Sequence, residues 1–137
     1  MIEIVESAID TAAVLADVQS ETSGAALLFV GSTRRFTGEL ETERLDYECY
    51  NEMAIKKMKE LAERAKSEFE IESVAIVHRI GTVETGEASI AIGVGSPHRK
   101  AAFEAGNWLI DTLKKEVPIW KRENWTSGQS EWVHQSQ

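Results

Sequence analysis

Residues 88–123 read ASIAIGVGSPHRKAAFEAGNWLIDTLKKEVPIWKRE, and the fold turns on how this stretch divides. Ala88–Gly95 is a β-rich apolar run, expected to form a strand. Gly93 and Gly95 weaken it as a plain strand and mark a close approach, either of another backbone or of a ligand. Ser96 and Pro97 fit the N-cap and first position of a helix. The helical pattern runs to about Lys115, with Ala101, Ala105, Trp108, Leu109 and Thr112 expected on the inward face. Pro118 stops it, and Ile119–Glu123 is expected to be extended. Strand, helix, strand is therefore the local reading.

Working outward, Ile2–Val5 is expected as a short strand. Asp10 caps a short helix through Val18, with Leu15 and Val18 facing inward. Ala25–Val30, a continuous apolar run, reads as a strand buried on both faces. It ends in a polar, glycine-bounded loop over 31–39. Arg44–Tyr50 alternates as a strand with Leu45, Tyr47 and Cys49 on one face. Asn51 is expected to cap a helix reaching about Phe69, with Ala54, Met58, Leu61, Ala62 and Ala65 inward. Glu72–Ile80 is a strand, Gly81 and Gly86 bracket a turn, and Glu131–Val133 is a last short strand. The order β-α-β-β-α-β-β-α-β-β predicts an α+β domain: one mostly antiparallel sheet with two long helices. One domain is expected over 1–137.

Composition excludes several function classes. The 137 residues carry a formal net charge of -8, which argues against nucleic acid as a bulk partner. No run reaches the roughly 18 apolar residues that span a bilayer, and the N-terminus has no signal-peptide pattern. The single cysteine, Cys49, cannot form an intrachain disulfide, so a cytoplasmic setting is expected. No metal or cofactor motif is present.

Against this acidic background, Ser96–Glu123 nets about two positive charges. A helix N-terminus favours acidic residues, yet this one carries His98, Arg99 and Lys100. That pattern suits a phosphate or carboxylate; the alternative is that Arg99 and Lys100 point into solvent. Lys114 and Lys115 sit where a helix dipole welcomes cations, so they read as a cap or as functional groups. Lys121 follows Pro118, Ile119 and Trp120. Burial there would lower its pKa; the alternative is a lysine that snorkels to water. Arg34 and Arg35 follow a strand, either as ligand contacts or as solvated loop arginines. His78 is expected to be buried and held by backbone, with an interface contact as the alternative, and Cys49 to be a core thiol. Trp120, Trp125 and Trp132 are either core anchors or a docking surface.

Together these residues make a resemblance. Gly31-x-x-Arg34, Val77-His78-Arg79-Ile80-Gly81, Gly86-Glu87 and Ser96-x-His98-Arg99-x-x-Ala102-Phe103-Glu104-Ala105-Gly106 occur in order. Leu113-Lys114, Pro118-x-Trp120-Lys121-Arg122-Glu123 and Trp132-Val133 follow. Over about residues 24–133 the chain resembles the large, catalytic subunit of molybdopterin synthase. The resemblance implies an α/β-hammerhead-like fold and a homodimer of large subunits within a heterotetramer. It implies a partner, a small ubiquitin-like sulfur carrier whose Gly-Gly tail ends in a thiocarboxylate. The implied reaction is sulfurtransferase chemistry in molybdenum cofactor biosynthesis. Two sulfurs pass in turn to cyclic pyranopterin monophosphate, giving the dithiolene of molybdopterin and opening the cyclic phosphate, with no metal or cofactor.

Residue by residue, Arg34, His98 and Arg99 match the family's pterin and phosphate pocket, with Ser32 and Thr33 lining it. Lys114 and Lys121 match its two key lysines, and Arg122 and Glu123 extend the second motif. The implied role of Lys121 lies near the carrier terminus, orienting the thiocarboxylate or acting as acid or base, with Lys114 assisting. The loop 31–39 and the short tail after Val133 depart from the pattern. The chain ends Gln135-Ser136-Gln137 rather than Gly-Gly and lacks a cysteine pair, so the expectation is that sulfur arrives from outside. The rival reading is a non-catalytic regulatory module that binds a phosphorylated metabolite. His98 and Lys114 lie about 22 Å apart along a helix at 1.5 Å per residue. So either the chain folds back after Pro118 or a second copy completes the site.

Overall fold

In the computed structural model, which describes residues 1–134, the stretch 88–123 does divide into strand, helix and strand. These are β7 (Ala88–Ser96), α3 (Arg99–Glu116) and β8 (Ile119–Trp125). Before them come β1 (Ile2–Val5), α1 (Thr11–Asp17), β2 (Ala25–Ser32), β3 (Phe36–Thr37), β4 (Leu40–Cys49), α2 (Asn51–Glu68), β5 (Ser73–Arg79) and β6 (Gly81–Glu84). Strand β9 (Ser130–His134) follows. The expectations drawn from residues 135–137 lie outside the described residues. The α+β class holds, but the strands form two sheets rather than one. The first has the order β1-β5-β7-β2; the second runs β3-β4-β8-β9, with β6 also on β4. All pairings are antiparallel except β1 with β5.

Alternation on the first sheet divides its side chains between two layers. On one face Ile76 and Ile92 meet Met58 and Leu61 of α2 and Leu109 and Leu113 of α3, in the main core. On the other, Ala75, Val77 and Ala91 meet Val14 of α1 and Val18 just after it. The small residues there let α1 lie close. A Cβ on Gly95 would collide with the Val18 carbonyl oxygen and come within 2.5 Å of Ser73 Oγ. At Gly93 the Val14 carbonyl oxygen would be 3.2 Å away. The glycines of β7 thus serve a backbone, not a ligand.

Several local expectations give way to tertiary contacts. Strand β2 is not buried on both faces. It is an edge strand with β7 as its sheet neighbour among the described residues, and Val30 stays 37% exposed. Asn51 does not cap α2. Its Oδ1 accepts from Cys49 Sγ (2.9 Å), and Tyr50 stands at the cap without a side-chain bond. Ser96 does not cap α3, because it closes β7 opposite Ala25; the cap position falls to His98.

The core face of α3 is Ala102, Ala105, Gly106, Leu109, Ile110 and Leu113. Trp108 turns instead toward α2, where it meets Phe69 and Arg64. In α1 the buried residue is Val14 rather than Leu15. Residues 81–84 form a strand on β4, so the expected turn narrows to Thr85–Gly86, and Phe36–Thr37 forms a hairpin with the start of β4. Among the described residues no helix is long and apolar enough to cross a membrane.

Candidate active site

Pro118 ends α3, and the chain returns as β8 alongside β4. This reversal brings Lys121 back to Lys114 of the last helical turn. Both line a cavity of about 350 Å³. Ser32, Thr33 and Arg34 come from the end of β2, and Glu123 stands two residues beyond Lys121 on the same face of β8. The loop at Thr33 is fixed by two backbone bonds. Thr33 N donates to the Glu87 carbonyl (3.0 Å), and Gly86 N donates to the Thr33 carbonyl (2.8 Å).

The cavity has a charged rim and a neutral polar wall. Arg34 and Lys114 are exposed, and Lys121 and Glu123 half-buried. Deeper, Thr33, Thr42, Tyr47, His78 and Ser89 are buried, with Leu45, Ile90 and Ile110 among them. Among the described residues Thr33 Oγ1 has no hydrogen-bond partner. Glu123 Oε1 accepts from Thr42 Oγ1 (2.9 Å) and Thr37 Oγ1 (3.3 Å).

Burial pushes the Lys121 ammonium below the usual lysine range. The charge of Glu123 opposes this, and the charges of Lys114 and Arg34 reinforce it. The sequence reading of Lys121 as a partly desolvated amine therefore matches its setting.

Three of the singled-out residues lie elsewhere. Arg122 alternates to the other side of β8, where its Nη2 is 3.0 Å from Asp46 Oδ2 and its guanidinium lies over Trp132. Burial alone would raise the Asp46 pKa. Hydrogen bonds from Arg122, Thr82 and Asn124, and the Arg122 charge, outweigh that and hold it below the ordinary carboxylate value. His98 and Arg99 are at the opposite end of α3. His98 borders a separate, more open hollow with Phe69, Lys100 and Glu104. One chain thus gathers Ser32, Thr33, Arg34, Lys114, Lys121 and Glu123, and leaves His98, Arg99 and Arg122 outside.

Sequence reasoning did not assign Tyr47, His78 or Ser89 to a site. Tyr47 and His78 read as inward-facing, which they are. What was missing is register: Tyr47 is the cross-strand partner of Lys121. His78 is 1% exposed, donates from Nδ1 to the Arg79 carbonyl (2.8 Å) and meets the Tyr47 ring edge-on at 5.2 Å.

Burial pushes the His78 imidazole down to about 4, against the bond to the Arg79 carbonyl, which favours the charged form. Its folded pKa lies below the unfolded value near 6.5, so the unfolded chain takes up the proton first. Stability from this group is complete above pH ~6.5 and is lost as pH falls toward 4, amounting to about 3 kcal/mol. Urea midpoints between pH 4.5 and 7 are expected to rise with pH in the parent, and His78→Gln is expected to flatten that slope. An unchanged slope would rule out His78 as its source.

Comparisons with known proteins bear on the family rather than on individual residues. The family model described as MoaE protein matches residues 4–116. The molybdopterin synthase catalytic subunit of Bacillus subtilis is 40% identical over 131 residues, covering 96% of this chain and 83% of that protein. That of Culex quinquefasciatus is 47% identical over 119 residues, covering 84% and 75%. The crystal structure of molybdopterin synthase from Staphylococcus aureus superposes with a TM-score of 0.90 at 36% identity, covering 96% of each chain.

Proposed function

The chain belongs to the MoaE protein family, and from that premise we propose that it transfers sulfur as the catalytic subunit of a molybdopterin synthase. The observation that carries this reading is the convergence of Arg34, Lys114 and Lys121, with one carboxylate, on a single confined cavity. The reaction implied by the family resemblance joins two anions, a thiocarboxylate and a cyclic phosphate. In a partly desolvated cavity their mutual repulsion is large, and fixed cations offset it. Lys121, half-buried, holds the thiocarboxylate and is the group placed to move a proton. Lys114 and Arg34, at the rim, hold the phosphate end and steady charge that develops there. The neutral wall offers hydrogen bonds to an uncharged heterocycle. Glu123, anchored by two threonines, opposes the neutralising effect of burial on Lys121.

His98 and Arg99 serve the cavity of a second copy of the chain. Strand β2 supports this. Its run Ala25–Gly31 contains no charge and no proline, and its far edge is unpaired among the described residues. Such an edge is a template for another strand. Ala25 sits opposite Ser96, and Gly31 leads into the cavity. Two β2 strands paired antiparallel about an axis near Leu28 would therefore bring Ser96–Arg99 of one copy toward Gly31–Arg34 of the other. Phe103, 62% exposed, projects from α3 four residues after Arg99 and so shares its flank. The homodimer, each copy with one small carrier subunit, makes the heterotetramer.

The test is reconstitution. The chain, a carrier bearing a C-terminal thiocarboxylate and cyclic pyranopterin monophosphate are expected to yield the dithiolene product. Absence of product with all components folded, alongside tight binding of the phosphate ester, would favour the regulatory module instead.

A further inference from the structure

Tyr47 sits on β4 between Gly81 of β6 and Lys121 of β8. Side chains directly opposite across an antiparallel pair have Cβ atoms about 5 Å apart. Gly81 offers no side chain on that side, so Lys121 is the residue whose side chain stands directly opposite Tyr47 across its two strand pairings. The ring is held from two further directions. His78 abuts it edge-on at 5.2 Å with an interplanar angle of 69°. Its hydroxyl interacts with the Ser89 side chain, whose Oγ donates to the Gly31 carbonyl (3.3 Å). Tyr47 is 7% exposed and lines the same cavity as Lys121.

We propose that Tyr47 is a positioning residue for Lys121: its locked ring covers the lysine stem from the β4 side, sets where the amine sits and keeps water from it. The inference rests on the functional reading above for its consequence in sulfur transfer, but not for its structural content. The titratable and charged groups facing Lys121 are Glu123 on its own strand, Lys114 from α3 and Arg34 from the loop after β2. Behind Tyr47 stands His78 of β5, neutral because buried. Strand β9 presents Val133 opposite Lys121. None of these charges belongs to the ring, so a change in the titration of Lys121 on its removal, with Lys114 unchanged, is expected to report hydration.

The experiment follows Lys121 itself in the full chain without substrate, through the pH dependence of its acetylation by a small anhydride, read by peptide mass spectrometry. In Tyr47→Leu the midpoint is expected to rise by roughly half a pH unit or more as water reaches the amine, while that of Lys114 stays put. Ser89→Ala, which frees the ring but keeps it, is expected to move Lys121 the same way by less. If Tyr47→Leu fails to fold, Ser89→Ala carries the test alone. An unchanged Lys121 midpoint in the folded variant overturns the proposal, as does an equal rise at Lys114, which would mean general loosening. A shifted midpoint in a chain whose sulfur transfer survives Lys121→Ala would leave the positioning intact and sink the functional reading instead.

Discussion

Lys121→Ala is expected to abolish sulfur transfer in a chain that stays folded. The expected loss in single-turnover dithiolene formation is at least about 100-fold, the scale for removing one positioned acid, base or charge-stabilising group. The fold is expected to survive because little depends on this side chain. Among the described residues Lys121 makes no ion pair. Its neighbours Tyr47 and Val133 remain, and the strand keeps its ladder to β4 and β9. Unfolding midpoints should therefore shift by no more than about 1 kcal/mol in stability.

Lys121→Arg sharpens the result. A guanidinium keeps the charge but cannot release a proton in this range. Activity in Lys121→Arg near that of the parent would assign Lys121 to orientation alone, whereas loss in both variants assigns it proton movement. Full activity in Lys121→Ala, with the chain shown to be folded by circular dichroism, would remove Lys121 from the mechanism.

The part of this site legible in the sequence is the part built by local order. Lys114, Pro118 and Lys121 are close in sequence, and a proline after a helix ends it, so the chain must leave the helix axis between the two lysines. Thus the first of the two alternatives drawn from helix length holds for the lysines: the chain folds back. The amphipathic spacing of α2 was likewise readable, since Ala54, Met58, Leu61, Ala62 and Ala65 are all buried.

What could not be read depended on partners far away in sequence. Ser96 looks like a helix cap until Ala25 claims it for β7. Residues 81–84 look like a turn until Arg44–Tyr47 pairs with them. The apolar run Ala25–Val30 looks doubly buried because a sequence does not reveal which strand lies at an edge. Tyr47 looks like a core residue, and is one; that it also faces Lys121 is a fact of register. The family resemblance grouped His98 and Arg99 with Lys121, yet one chain holds His98 and Lys121 in different hollows.

That separation makes the second large effect. Arg99→Ala and Lys121→Ala are each expected to be inactive alone, and active when mixed. If a cavity takes Lys121 from one copy and Arg99 from the other, a heterodimer of the two variants has one cavity with both losses and one with neither. Free exchange of equal amounts makes half the dimers mixed, so activity returns to about a quarter of the parent. If Arg99 instead served the cavity of its own chain, every cavity in the mixture would carry one lesion and activity would stay at the level of the variants. Exchange is verified by mass on differently tagged copies, so that silence in a mixture with proven heterodimers refutes the shared cavity. The distance along α3 decides which outcome to expect. Arg99 and Lys114 stand at its two ends, some 22 Å apart at 1.5 Å per residue, and an extended arginine bridges less than half of that. Only a second chain shortens the gap without unwinding the helix, and the uncharged edge of β2, unpaired among the described residues, is where that chain would dock.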